Sequence, residues 1–192
     1  MVGLAALNDT LIGTTVNGGQ TLFQISYDRF IDIINAPLNH PNMFWILVPQ
    51  LLTLILMELY FSRYSHEEMG WNTAFGNSLV LIFVSVDLVR FLVNSGQFDV
   101  FTHKHVLVTV VILEGMLLTF VDFYHLLPKE LAWGVSSTLP INFIAASSII
   151  LVYSDIPFDL ITLGGFAFLL VALTGLLILI RIIEPAVVNY ED

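Results

Sequence analysis

The sequence predicts an all-α integral membrane protein: a five-span transmembrane helical bundle with a short N-terminal interfacial amphipathic helix. Three observations support this fold class. Of the 192 residues, 57% are hydrophobic, whereas soluble domains are about 45–50% apolar. Five runs with few charges reach the roughly 20 residues that a helix needs to cross a bilayer core. Tryptophan and tyrosine recur near the ends of these runs, as they do at membrane–water interfaces.

Residues 1–40 are predicted to lie outside the bilayer, because they are too polar to span it. Ser26 is a residue type favoured at helix N-caps, and apolar side chains follow it at helical spacing. This pattern predicts a short helix in the headgroup plane with its apolar face towards lipid. A helix packed on the protein's own loops fits the pattern equally well. The residues assigned to the apolar face are Tyr27, Phe30, Ile31 and Ile34.

Residues 41–186 are predicted to form one five-helix bundle, with a tail at 187–192. Proline marks several boundaries, since it interrupts helical hydrogen bonding: Pro49 is expected to kink the first span, and Pro128 and Pro157 follow the third and fourth. The predicted spans are 43–61, 72–94, 105–127, 131–153 and 160–183.

The last two spans differ in composition. The fourth carries small polar residues around Pro140, a pattern typical of helix–helix packing faces in membranes. The fifth is almost purely aliphatic, and its glycines are expected to permit close approach of a neighbour. The small polar residues are Ser136, Ser137, Thr138, Asn142, Ser147 and Ser148, and the glycines are Gly164, Gly165 and Gly175.

Five spans place the termini on opposite sides of the membrane. Basic residues near the span ends are almost balanced between the two sides, and Arg90 is not counted because it lies within a span. The positive-inside rule then favours an outside N-terminus and an inside C-terminus in the cell membrane.

Charge and motif content argue against several classes of protein. The net charge is −10 with only six Lys and Arg, which disfavours a nucleic-acid partner. Cysteine is absent, so thiolate metal sites and Cys nucleophiles are excluded. His66 is followed four positions later by Gly70 rather than by a second His, so the zinc-protease motif fails. We therefore expect no enzyme activity and predict no cofactor.

A polar cluster is predicted inside the bundle. Asp87, Arg90 and Asn94 have i, i+3 and i+7 spacing and share one helix face. Counting about 1.5 Å per residue from the following connector places Glu114 at nearly the depth of Asp87. Arg90 is then able to bridge the two acids. Asn142, beside Pro140, adds a polar group where a backbone carbonyl is expected to be freed.

Two interpretations of this cluster stay open. Charges inside a membrane survive mainly when paired or when they line a path. The cluster is therefore either a salt bridge that holds helices together or part of a cation or proton path.

A metal site is a further hypothesis. Asp122 and His125 have the acid-x-x-His spacing of di-iron bundles, which use two such motifs and two further Glu. Only one motif is present, although Glu58 and Glu184 are expected on the same membrane side. Ordinary polar residues at the interface explain these four equally directly and are preferred.

The favoured function is a structural or accessory subunit of a membrane assembly, held by helix packing and the Asp87, Arg90, Glu114 cluster. The alternative is a small oligomeric cation or proton channel or transporter with these residues on its pathway. Five spans enclose little space alone, so both readings predict a homo-oligomer or other membrane-protein subunits as partners, together with the lipid bilayer.

Overall fold

The computed structural model describes residues 21–63 and 70–183, and these are helical without any strand. The predicted tail at 187–192 lies outside them. In chain order, the helices are α1 (Leu22–Asn39), a 3₁₀ turn (Pro41–Met43), α2 (Phe44–Arg63), α3 (Trp71–Asn94), α4 (His103–Phe123), α5 (Lys129–Val135), α6 (Thr138–Tyr153) and α7 (Leu160–Ile183).

Five segments in the described part are long and apolar enough to cross a membrane. This confirms the all-α class and the five apolar helices, with boundaries close to those predicted. The segments are Pro41–Arg63, Trp71–Asn94, His103–Phe123, Lys129–Tyr153 and Leu160–Ile183.

The third of these segments ends four residues earlier than predicted. His125 has a φ of 53°, in the left-handed region where histidine is enriched among non-glycine residues. The Leu126 backbone amide donates to the Val121 carbonyl at 3.0 Å, and the His125 backbone amide donates to the Asp122 backbone carbonyl at 3.4 Å. This is a Schellman motif, which usually has glycine at the His125 position.

Helix α1 starts at Thr21, not at Ser26, which was predicted as the N-cap. Thr21 and Gln24 form a capping box, in which the Thr21 amide donates to Gln24 Oε1 at 2.9 Å and the Gln24 amide donates to Thr21 Oγ1 at 3.3 Å. The Thr-x-x-Gln pattern in the sequence is the signal for such a start. The helix is therefore longer than predicted.

Helix α1 packs on α7 with part of its predicted apolar face: Tyr27 and Phe30 make contact, whereas Ile31 and Ile34 are exposed. Phe23, Tyr27 and Phe30 surround the ring of Phe168, with centroid distances of 5.2, 6.0 and 6.0 Å. A methyl group placed on Gly165 would lie 2.9 Å from Ile33 Cδ1, so the glycine permits this approach. The predicted helix is thus in contact with another helix of the same chain.

The predicted fourth span is not one continuous helix. It breaks between α5 and α6 at Ser136 and Ser137, where Ser137 has the extended conformation of an N-cap residue. Pro140 lies in the first turn of α6, where its missing N–H has no helical partner to lose. It therefore starts a helix instead of kinking one.

Helix α6 lies at the centre of the bundle and contacts α2, α3, α4 and α7. Its small polar residues are mainly buried, including Thr138, Asn142 and Ser148. The predicted helix–helix packing face of the fourth span is therefore covered by this chain's own helices.

Candidate functional site

Asp87 links α3 to α6. Arg90, one turn along α3, donates a hydrogen bond to Asp87 Oδ1. The Tyr153 hydroxyl donates to Asp87 Oδ2 at 2.6 Å, and its ring stacks on Phe91 with centroids 3.9 Å apart. The Asp87 side chain is 15% exposed and that of Arg90 is 61% exposed. Both carboxylate oxygens thus accept hydrogen bonds, one from within α3 and the other from α6.

The structure does not bring Glu114 to this pair. In the antiparallel α3–α4 contact, a methyl group on Gly115 would lie 3.0 Å from Leu81 Cβ, and Thr119 Oγ1 donates to Ser78 Oγ at 3.4 Å. Asp87 is therefore level with residues 109–110 on α4, about 7 Å along the axis from Glu114.

Helix rotation separates the two acids further. Ile82 is on the face of α3 that meets Gly115 of α4, and Asp87 is about 140° around the helix from Ile82. That direction leads to α6, not to α4. Tyr153, which the sequence suggested only as an interfacial aromatic, takes the place predicted for Glu114.

The two asparagines of the predicted cluster also have separate environments. Asn94 is exposed at the end of α3. Asn142 is buried, and its side-chain amide donates to Thr138 O at 2.7 Å within α6. The Asn142 backbone carbonyl accepts from Gln50 Nε2 at 2.8 Å, which links α2 to α6.

The carbonyl that was expected to be free near Pro140 is occupied as well. It is that of Ser136, which precedes α6 and therefore receives no hydrogen bond from within that helix. The side-chain amide of Asn77 on α3 donates to it at 2.9 Å and lies 3.4 Å from Thr138 Oγ1. The sequence alone does not identify Asn77 and Gln50 as links between helices, because this role depends on which backbone carbonyl lies opposite each side chain.

Glu58 and Arg181 form a second ion pair, at the other end of the bundle. Arg181 Nε donates to Glu58 Oε1 and joins α7 to α2. The Glu58 side chain is 8% exposed and that of Arg181 is 65% exposed. The pair borders a cavity of about 200 Å³ that Ser137, Thr138 and Thr174 also line.

The four metal candidates are not assembled by the described residues. Glu58 is held by Arg181, and the exposed His125 ring stacks on Trp71 with centroids 4.3 Å apart. Asp122 is buried, with neither carboxylate oxygen hydrogen-bonded to any described residue. Glu184 lies outside the described residues. Within residues 21–63 and 70–183, no three His, Asp or Glu are grouped so as to hold a metal ion.

No known protein family, curated protein or solved structure matches this chain. Several polar side chains in the described bundle make the same kind of bond, from one helix to another. The examples are Gln50 to α6, Asn77 to the α5–α6 break, Tyr153 to α3 and Arg181 to α2.

Proposed function

We propose that this chain is a multi-pass membrane protein with a structural or accessory role in a membrane assembly. The observation that carries the proposal is the use of polar side chains to join helices within the bundle. A conducting path needs polar groups that water or ions can reach. Here the freed Ser136 carbonyl is bonded to Asn77, and the Asp87 carboxylate is bonded to Arg90 and Tyr153.

The outer surface supports the same proposal. Large apolar side chains are exposed along α2, α4 and α7, on helices that a bilayer or a partner's spans would cover. Monomeric soluble proteins rarely expose contiguous apolar patches larger than a few hundred Å². Examples are Trp45, Val48 and Leu52 on α2, Leu113 and Leu117 on α4, and Val171 and Ile182 on α7.

The channel alternative is less well supported. It requires Asp87 and Glu114 to share one site, so that a proton or cation passes between them. They lie about 7 Å apart along the helix axis, and Asp87 faces α6 rather than α4.

Two measurements test the proposal together. The full chain, purified in mild detergent from its native membrane, is expected to retain another membrane protein at a fixed ratio. The same chain reconstituted alone in liposomes is expected to pass protons, Na⁺ and K⁺ no faster than protein-free liposomes do, as followed with pH- and cation-sensitive dyes. A flux that Asp87→Asn or Glu114→Gln abolishes in folded protein would overturn the proposal in favour of the channel.

A further inference from the structure

Glu114 has an unusual environment for an acid in an apolar helix. It is half-buried and has no ion pair or hydrogen bond with any residue that the structure describes. Val110, Leu113 and Leu117, which adjoin it on the helix surface, are all exposed. Ionisable side chains within membrane helices are costly and almost always pair with one another, bond to backbone carbonyls or face a water-filled cavity. Such a residue is expected to have a partner.

The chain's own cations are already engaged. It contains six Lys and Arg in total, and Arg63 and Lys129 among them lie at helix ends and have interactions of their own. The other four are in ion pairs: Arg29 with Asp32, Arg90 with Asp87, Lys104 with Asp155 and Arg181 with Glu58.

A second copy of this chain is therefore a poor partner for Glu114. Each cation that a second copy could supply is one that already has a partner of its own. Each copy also carries a net charge of −10, so self-association brings like charges together. The complementary surface is an apolar helix that contributes one positive charge.

We propose that the face of α4 formed by Val110, Leu113, Glu114 and Leu117 docks a transmembrane helix of a different protein, with an arginine or lysine against the Glu114 carboxylate. This inference rests on the proposed function and deepens it by stating the chemistry of the partner. The apolar side chains pack against the partner helix, and the ion pair fixes its depth.

Synthetic transmembrane peptides provide the test. The full chain is reconstituted in liposomes with a polyleucine helix that has one central arginine, or with the same helix without it. Because the chain lacks cysteine, Asp99→Cys in the exposed connector gives a single position for a donor dye, and energy transfer to labelled peptide measures association. We expect the arginine peptide to associate about tenfold more strongly, which corresponds to roughly 1.4 kcal/mol.

Two variants locate the effect. Glu114→Gln keeps the size and polarity of the side chain and is expected to abolish the preference for arginine. Met116→Gln adds the same amide at an exposed position about 160° around the helix, and is expected to retain it. Circular dichroism establishes that both variants are folded.

Three results would overturn the inference. The first is equal association of the two peptides with the wild-type chain, a comparison that needs no variant. The second is a preference that survives Glu114→Gln. The third is energy transfer between copies of this chain that Glu114→Gln removes, since the occupant would then be a second copy.

The outcome is separable from that of the proposed function. If the chain associates equally with both peptides but still co-purifies with a membrane protein, only the proposed docking face is refuted. If the preference is present but the chain conducts ions alone, the accessory role is wrong.

Discussion

Helix α7 is the most apolar part of the described chain, yet the less apolar segment that contains α6 occupies the centre. Mean hydropathy is 2.7 for Leu160–Ile183 and 1.7 for Lys129–Tyr153, whereas the buried shares of their apolar stretches are 17% and 61%. In a water-soluble protein, the more apolar helix would be the more deeply buried one. In a bilayer, lipid tails solvate apolar side chains, and helices associate through close packing and hydrogen bonds between polar groups. The contrast is the arrangement expected of a membrane protein.

The strongest test of this contrast compares two isoleucines. Ile149 on α6 is fully buried, whereas Ile178 on α7 is 54% exposed. Ile149→Ala leaves a cavity and is expected to lower the free energy of unfolding by about 2–5 kcal/mol. Ile178→Ala is expected to change it by less than about 0.5 kcal/mol. Unfolding in mixed micelles with rising SDS, followed by circular dichroism, measures both, and equal losses would refute the central position of α6.

The next largest difference in the free energy of unfolding is expected between substitutions of two tyrosines. Tyr153 donates to the Asp87 carboxylate, whereas Tyr27 only packs its ring on Phe168 of α7. Tyr153→Phe removes a hydrogen bond to a charged group and is expected to cost about 1.5–3 kcal/mol. Tyr27→Phe keeps the ring contact and serves as the matched control, with a stability close to wild type. If both variants unfold at the wild-type SDS concentration, Tyr153 does not hold α3 and α6 together.

Two glycines of α7 have different surroundings. Gly165 contacts α1 closely, and a methyl group there would lie 3.2 Å from the Phe30 amide nitrogen, whereas Gly175 has no such neighbour within 4 Å among the described residues. Gly165→Ala is expected to destabilise the bundle by about 1 kcal/mol through overpacking. Gly175→Ala is expected to stabilise it by up to about 1 kcal/mol through helix propensity.

The sign of the two glycine effects is the result to compare, in thermal unfolding in detergent. Stabilisation by both would mean that α1 does not pack closely on α7. Opposite signs would show that α7 is closely packed at Gly165 and has free space at Gly175.

The smallest effect is expected at the ion pair between α7 and α2. Glu58 is buried but Arg181 is largely exposed, so neutralising Glu58 leaves no unpaired charge inside the protein. Glu58→Gln keeps a hydrogen-bond acceptor for Arg181 and is expected to cost less than about 1 kcal/mol. Arg181→Lys, which retains the charge, is the control in the same SDS titration. A loss as large as that of Ile149→Ala would place this pair among the main attachments of α7.

The sequence was sufficient for the features that depend on one helix at a time. Five apolar helices follow from run length, because bilayer thickness fixes the length of a span. The Asp87–Arg90 pair follows from i, i+3 spacing. The capping box at Thr21 and Gln24 also depends on local sequence alone, as a Thr-x-x-Gln pattern, although Ser26 is an equally common N-cap residue type.

Features that depend on which face of each helix meets its neighbour could not be predicted from residue spacing along a single helix. Depth counting placed Glu114 near Asp87, but the face of α3 that meets α4 is not the face that carries Asp87. The break at Ser136 and Ser137 has the same character. A proline within an apolar run is compatible with a kink, a helix start or a freed carbonyl, and the break before Thr138 places Pro140 at a helix start.

The contact between α1 and α7 has a consequence for the order of assembly. It joins the first and last described helices, so it forms only after the intervening chain has been made. The neighbours of α6 on α2, α3 and α4 are already present when α6 is synthesised. Since chains are synthesised from the N-terminus, the centre of the bundle is expected to be in place before its rim closes. Until α7 arrives, the aromatic face of α1, Phe23, Tyr27 and Phe30, is without the surface it packs on.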